Sequence, residues 1–569
     1  MHDLIVRNGL VVDGTGAPPQ RADVAVDDGV ITEVGIDLGR ASQEIDAEGT
    51  VVAPGWVDVH THYDGQATWD PELAPSSWHG ATTVVMGNCG VGFAPVRSGG
   101  QDFLIELMEA VEDIPGTALH EGIDWSWESF AEYLDALDSM PRTVDVAAQI
   151  PHVALRAFVL GERAHEADVT VDEVAEMARL TAEALDAGAL GFSTSRTILH
   201  KSRHGLIPGT HSAPDELIAI GRAMADAGGG VFQFVSDDLA TSGAERAWIR
   251  ELAAMGLTVT YSLAQSPRDP RAFADALDEA SALTAAGSNV FPQVPSRPTG
   301  MLYGLQTSLH PFTACPSYRA LWDEPLADRV AAMTAADFRS RIVDEEFQTR
   351  DVAARFLARN WAGIYRLGDP PDYEPHPDSS VAAVAARDRR RPEEVALDWL
   401  LEDDGMALLF APLGSYVDQD HEVIREMISH PASIVGLSDG GAHCGLICDA
   451  SFPTYLLTHW TRDRTRGELL PLELVVHKQT GATAAAYGLT DRGTLAPGMK
   501  ADMNVIDLDA LHLHAPEIIT DLPAGGRRLV QRVDGYRWTV QSGRITFEDG
   551  HATGARPGSV IRREPSTGG

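Results

Sequence analysis

The chain has 569 residues, 44% of them hydrophobic, with 83 acidic against 44 basic side chains and a formal net charge of −39. That length allows roughly two to four domains. The charge excludes sequence-independent nucleic-acid binding, because phosphate is repelled, and no run approaches the ~18 apolar residues of a membrane span.

Four cysteines, Cys89, Cys315, Cys444 and Cys448, are too few for a disulfide framework in so long a chain. The N-terminal run Met1-His2-Asp3-Leu4-Ile5-Val6-Arg7 has no basic segment followed by an apolar core. A reduced, cytoplasmic protein is expected.

Residues 1–54 read as short strands separated by turns, with Asn8-Gly9, Asp13-Gly14 and Asp28-Gly29 as hairpin signals. Residues 490–569 have the same texture. Neither end alone buries an adequate core, so together they are expected to form one small β-sandwich domain. The tail beyond Gly554, rich in Gly, Pro, Ser and Arg, is expected to be poorly ordered.

Residues 55–489 alternate apolar β-rich runs with helical patterns. Thr82-Thr83-Val84-Val85-Met86, Val144 to Ile150, Leu190 to Thr194, Gly230 to Val235, Leu257 to Ser262 and Ser433 to Leu437 read as strands. Val171 to Gly188 and Glu216 to Ala227 read as helices. This rhythm points to an α/β fold, a (β/α)8 TIM-type barrel. A doubly wound sheet is disfavoured, since no Gly-rich phosphate turn follows an early strand. Residues 291–391 break the rhythm with many prolines and are read as an insertion. Insertions after barrel strands fall on the catalytic face, where this one is expected to act as a lid.

The chemistry is concentrated at two places. His60 and His62 sit in Val57-Asp58-Val59-His60-Thr61-His62, after Pro54-Gly55. Side chains on a strand alternate with a period of two, so His-x-His presents two imidazoles on one face, half of a metal site. Asp439 lies in Gly436-Leu437-Ser438-Asp439-Gly440-Gly441, a strand-end pattern. At that end of a barrel strand a carboxylate can ligate a metal and take a proton from water.

These motifs, with Gly87-Asn88-Cys89-Gly90, Pro151-His152-Val153-Ala154-Leu155-Arg156, Gly191-Phe192-Ser193-Thr194 and Gly493 to Asp502, resemble the D-aminoacylase (N-acyl-D-amino-acid deacylase) branch of the amidohydrolase superfamily. The resemblance covers nearly the whole length. It implies that Cys89 is a thiolate metal ligand, which suits zinc. The chain departs from that pattern twice. Phe232-Gln233-Phe234-Val235-Ser236-Asp237-Asp238 stands where the branch carries Thr-His-x-Arg. Thr260-Tyr261-Ser262-Leu263-Ala264-Gln265 stands where it carries a second histidine. Ser236, Asp237, Asp238 and Gln265 are weak substitutes. One zinc ion held by His60, His62, Asp439 and Cys89 is therefore expected.

Other residues complete the expected site. His152, with Asp439, is assigned to catalysis, His152 polarising the carbonyl. Arg156 is a candidate for a substrate carboxylate. Arg196, His200, Lys201, Arg203 and His204 form a basic cluster in an acidic protein, and Arg196 and His204 are taken as binders of an anionic substrate end. His443, four residues after Asp439, is expected to face the pocket.

The function implied is metal-dependent hydrolysis of an amide in a small N-acyl amino acid. Two alternatives stay open. One is hydrolysis of another acyl bond, in a lactone or cyclic imide, with a reduced or absent metal site. The other is a non-catalytic barrel used for binding or assembly. Neither nucleic acid nor membrane is expected as a partner, and self-association into a homo-oligomer is left open.

Overall fold

The computed structural model describes residues 1–237, 243–350 and 352–563. Eight strands, Trp56–Asp58, Ala81–Met86, Asp145–Pro151, Gly191–Arg196, Val231–Ser236, Thr258–Ser262, Asn289–Val294 and Ile434–Val435, pair in chain order in one sheet. All seven of these neighbouring pairings are parallel. Beyond the eighth strand the backbone turns back to the first. Asp439 N donates to His60 O at 3.1 Å and His62 N to Gly440 O at 2.7 Å. The sheet therefore closes into a TIM-type barrel, and its seam is formed by the residues of greatest chemical interest.

The strand sequences explain this closure. Ala81–Met86 and Asp145–Pro151 are buried at every position, as strands covered on both faces must be. Val57, Val59, Val85, Ala147, Leu190, Val231 and Ile434 share one apolar cluster with Ala484, Tyr487 and Leu489 of the chain's outer layer. The alternating partners of Val57 and Val59, namely Asp58, His60 and His62, are thereby turned to the interior. Helices on the outside carry ordinary start signals. Ser129 with Glu132 and Thr170 with Glu173 form capping boxes for Phe130–Asp138 and Val171–Asp186.

Both ends of the chain build a second sheet. His2–Val11 pairs with Gln20–Asp27, Ala41–Asp46 and Val51–Pro54, and Val51–Pro54 lies antiparallel to Met503–Ile506. Leu4, Val6, Val24, Ile45, Val505 and Val540 lie in its core. The early and late strands thus share one nine-stranded sheet. Val51–Pro54 runs through Gly55 directly into the first barrel strand, which fixes the sheet to the barrel. The stretch after Gly554 is also seated. Ser559 N donates to Asp145 Oδ1 at 2.8 Å and Ile561 N to Val146 O at 2.7 Å. The expectation of a loose tail does not hold up to residue 563, because the entrance of the third strand offers it backbone and carboxylate partners. Residues 564–569 lie outside the described residues.

Phe291 to Val294, read as the start of an insertion, belong to the seventh barrel strand. The elaboration runs from there to the eighth strand. It contains its own antiparallel sheet of Gly300–Tyr303, Leu409–Pro412 and Tyr365–Arg366. Tyr303, Phe312, Tyr318, Ile342 and Leu400 lie in its separate core. It touches the barrel mouth where Leu302 N donates to Leu446 O (2.7 Å) and Ser308 N to Gly445 O (2.8 Å). Among the described residues no helix is long and apolar enough to cross a membrane.

Candidate metal centre

His60, His62, Cys89 and Asp439 converge at the barrel seam. His60 Nε2 lies 3.3 Å from Cys89 Sγ and 3.4 Å from Asp439 Oδ1. His62 Nε2 lies 3.7 Å from the same Asp439 oxygen. Donor atoms of His60, His62 and Cys89 all fall within 4.8 Å of one another. Zinc bonds of about 2.0–2.3 Å to N, O and S set tetrahedral ligand atoms roughly 3.3–3.6 Å apart. The two His60 distances fall on those edges, His62 to Asp439 is slightly longer, and the other donor atoms of His60, His62 and Cys89 come no further apart than 4.8 Å.

Each imidazole is oriented from behind. His60 Nδ1 lies 2.6 Å from Gln293 Oε1, an oxygen that can only accept, so His60 carries its proton on Nδ1 and turns a bare Nε2 to the cluster. Gln293 is held in turn by Nε2 donating to Tyr487 Oη at 3.0 Å. His62 Nδ1 faces Glu112 Oε1 at 3.5 Å, and neither atom has another hydrogen-bond partner among the described residues. Glu112 Oε2 is 3.5 Å from His443 Nε2. Glu112 and Gln293 were not identified from the sequence. Glu112 is the last residue of an amphipathic helix, Gln101–Glu112, where only its burial at 1% exposure distinguishes it from a solvated acid.

Strain and packing fix the Asn-Cys-Gly turn. Cys89 adopts φ 54°, between Gly87 at 77° and Gly90 at 74°. A Cβ on Gly87 would fall 2.2 Å from Gln149 O, so only glycine fits there. Asn88 Nδ2 donates to Thr61 O and Val85 O, and Gln149 Nε2 donates to Asn88 Oδ1. Gln233, at one of the departures from the family pattern, points inward, its Oε1 accepting from Cys89 N at 3.0 Å. It braces the cysteine turn. The loop of Asp439 is similarly contorted, with φ 47° at Asp439 and 55° at His443. Such outliers persist only where surroundings impose them, and they gather at functional sites.

The electrostatics favour a cation. Burial pulls His60 down to about 4, keeping its ring neutral. Burial also opposes charge on His62, yet Glu112, Asp439 and Cys89 together hold it well above its ordinary range. Burial raises carboxylates, but the surrounding His62, His60 and His443 keep Asp439 strongly depressed and ionised. Burial pushes the Cys89 thiol up to about 12. Beneath them, Asp58 is raised to about 7 by burial and accepts from Ser438 Oγ at 2.5 Å, tying the first strand to the last.

The cluster opens on one side. The side chains of His60 and His62 are 1% exposed, whereas Asp439 and His443 keep 16% and 20%. His443 stands 3.8 Å from Asp439 at that opening. His200 joins them from the loop after the fourth strand. Its Nδ1 bonds Ser195 Oγ at 2.9 Å, and burial, with His443 and His62, lowers it to about 3.

The remaining candidates have other partners. His152 is fully buried, Nδ1 on Thr194 Oγ1 and Nε2 on Glu216 Oε1, both at 2.8 Å. Arg156 NH1 binds both oxygens of Glu216, at 2.5 and 2.6 Å, and its Nε donates to Ala164 O. Arg196 Nε donates to Glu245 Oε1 at 2.8 Å. His204 is about half-exposed beside Glu106. Asp237 accepts from Thr197 Oγ1 and Ile198 N, and Ser236 bonds Glu245. Gln265 binds Asp418 and Val417. Asp238 lies outside the described residues.

The chain has relatives of known sequence and structure. D-aminoacylase of Alcaligenes xylosoxydans xylosoxydans is 27% identical over 572 residues, spanning 99% of this chain and 98% of that protein. N-acyl-D-glutamate deacylase of the same organism is 27% identical over 578 residues, spanning 100% and 98%. An uncharacterized protein of Mycobacterium tuberculosis is 29% identical over 614 residues, spanning 99% and 96%. A crystal structure of D-aminoacylase shares the fold with TM-score 0.65 at 24% identity, over 99% of this chain and 100% of that one. The sequence profile of the amidohydrolase family matches residues 43–547. The chain belongs to the amidohydrolase family.

Proposed function

We propose that the chain is a zinc-dependent hydrolase of N-acyl-D-amino acids. The observation that carries this reading is the convergence of two imidazoles, a thiol and a carboxylate, with donor contacts of 3.3 to 3.7 Å, on a barrel whose full-length relatives include D-aminoacylase and N-acyl-D-glutamate deacylase. A structure of the latter, from Bordetella bronchiseptica, is described as complexed with zinc and a phosphonate inhibitor that mimics the tetrahedral intermediate.

The residues fit one such ion. His60 offers an unprotonated Nε2, and Asp439 is ionised. His62 has a buried carboxylate behind its Nδ1, the usual outer partner of a metal-bound imidazole. His60, His62, Cys89 and Asp439 would hold the ion. When bound, zinc supplies a Lewis acid that lowers the pKa of water toward neutrality.

The chain's own groups do the rest. Asp439, at the open side of the cluster, accepts the proton of the attacking water and returns it to the leaving amine nitrogen. His443 and His200 line that opening and orient the acyl carbonyl and the amino-acid end. Gln293 and Glu112 keep the two imidazoles turned inward. The elaboration before the eighth strand borders the loop of His443 through Leu302 and Ser308, which supports its reading as a wall and lid.

The experiment is a turnover panel with zinc-reconstituted protein. N-acetyl-D-amino acids, their L-enantiomers, lactones and cyclic imides are compared. The expected result is hydrolysis of one or more N-acyl-D-amino acids, lost by at least a thousandfold in Asp439→Asn. Turnover confined to lactones or imides would favour the other acyl-hydrolase reading. No turnover at all with zinc bound would end the deacylase assignment.

A further inference from the structure

A second, separate group of donors unites three distant segments. Glu374 lies between Tyr365–Arg366 and the short turn Pro377–Ser379 of the elaboration. His421 precedes the helix Glu422–Ser429. His459 begins the π-helical turn His459–Asp463, which follows the helix Phe452–Thr458 after the last barrel strand. Single π turns inside helices recur at functional positions.

The geometry is that of a metal site. His421 Nδ1 lies 3.3 Å from His459 Nε2. Glu374 Oε2 lies 3.3 Å from His459 Nε2 and 3.8 Å from His421 Nδ1. Bonds of about 2.0–2.1 Å to nitrogen and oxygen set tetrahedral edges of about 3.3–3.4 Å; both His459 distances match these, and the Glu374–His421 edge is wider. The tautomer of His421 is set, since its Nε2 sits 2.9 Å from Tyr373 O, a pure acceptor, leaving an unprotonated Nδ1 turned to the other two donors and to Tyr455 Oη at 3.4 Å. His421 is fully buried. The ring of His459 stacks on Tyr455 at 4.6 Å and 13°. Glu374 is oriented by His421 N at 2.7 Å and Arg464 at 3.0 Å, both on Oε1. Arg464 also contacts Oε2 through Nε at 3.2 Å, and divides its charge with Glu422 at 2.8 Å.

We propose that Glu374, His421 and His459 form a second metal site, for zinc or a similar borderline divalent cation. Two imidazoles with one carboxylate select this class over magnesium or calcium. The ion clips the elaboration, through Glu374, to the barrel's closing helix, through His459. A cavity of about 450 Å³ bounded by Asp372, Glu374, His459, Arg464 and His512 provides entry and a place for a fourth ligand. The competing occupant is a proton on His459 Nε2, shared with Glu374.

The test counts Zn2+ in the metal-stripped full chain after titration and gel filtration. His60→Ala/His62→Ala is expected to retain one equivalent, and to lose it when His459→Gln is added. Gln keeps a donor for Glu374, and His459 has a side-chain exposure of 13% at the cavity rim. Should the triple variant misfold, His459→Gln alone, with unchanged circular dichroism, is expected to lower the wild-type stoichiometry by one equivalent. It should also diminish the rise in Tm that Zn2+ gives. Unchanged stoichiometry in His459→Gln, or no zinc in a folded His60→Ala/His62→Ala chain, would overturn the proposal.

Discussion

Glu112 Oε1 lies 3.5 Å from His62 Nδ1, and both side chains are 1% exposed. A buried carboxylate set behind an imidazole fixes the ring and raises its basicity as a ligand. Glu112→Gln is therefore expected to weaken zinc binding about 10–100-fold. Chelator competition measures this directly. A dissociation constant unchanged within twofold would show that Glu112 does not support His62 as a ligand.

Gln293 holds the first imidazole as Glu112 holds the second. Gln293→Leu leaves His60 Nδ1–H buried without an acceptor and Tyr487 without its amide partner. The cost is about 1–3 kcal/mol of stability, and zinc affinity falls with it. Gln293→Glu restores an acceptor and is expected to recover part of the affinity. If Leu and Glu behave alike in urea unfolding and in metal titration, orientation of His60 by this residue is wrong.

The network of His152, Arg156 and Glu216 predicts an acid-sensitive step. Burial alone would raise Glu216, but His152 and Arg156 prevail and lower it from 4.5 to about 2. A folded value below the unfolded one adds stability that is full above about pH 4.5 and is lost as pH falls toward 2. Glu216→Gln leaves Arg156 buried with one partner fewer and is expected to cost about 3–5 kcal/mol at neutral pH. It should also flatten the pH dependence of urea stability between about pH 4.5 and 2. The companion variant His152→Ala separates structure from chemistry. A lowered Tm with kcat nearly retained marks it as structural, whereas lost kcat at unchanged Tm marks it as catalytic.

Gly87 gives a purely steric prediction. Its φ is 77°, and an added Cβ would lie 2.2 Å from Gln149 O, which leaves no room for alanine. Gly87→Ala should displace the Asn-Cys-Gly turn, lowering both Tm and zinc retention. Gly99→Ala, at φ 84° with open space around it, carries only the backbone penalty of about 1–2 kcal/mol and serves as the control. Equal effects of the two on metal retention would argue against the turn as a metal-holding element.

The barrel and its metal face were legible because strand periodicity is local. Val57 and Val59 alternate with Asp58, His60 and His62, and no tertiary information is needed to see two faces. The Ser-Asp-Gly loop was legible for a similar reason, as a strand end rich in glycine. Glu112 was not, because an acid at a helix C-terminus reads as solvated until the fold buries it. Gln293 lay hidden among prolines that suggested an insertion, although Pro292 sits within the seventh strand. The basic run from Arg196 to His204 was legible as charge but not as pairing. Glu245 and Glu106, which take up Arg196 and the Arg203–His204 pair, are far away in sequence. Glu374, His421 and His459 carry no spacing signal at all, since each comes from a different segment.

The proposed function requires the early His-x-His, the cysteine turn and the late Ser-Asp-Gly loop to meet on one ion. Anomalous diffraction at the zinc edge, from crystals of the full chain grown with zinc, tests this most directly. A peak enclosed by His60, His62, Cys89 and Asp439 is expected. Zinc-loaded, hydrolytically active crystals with no peak among those four side chains would contradict it.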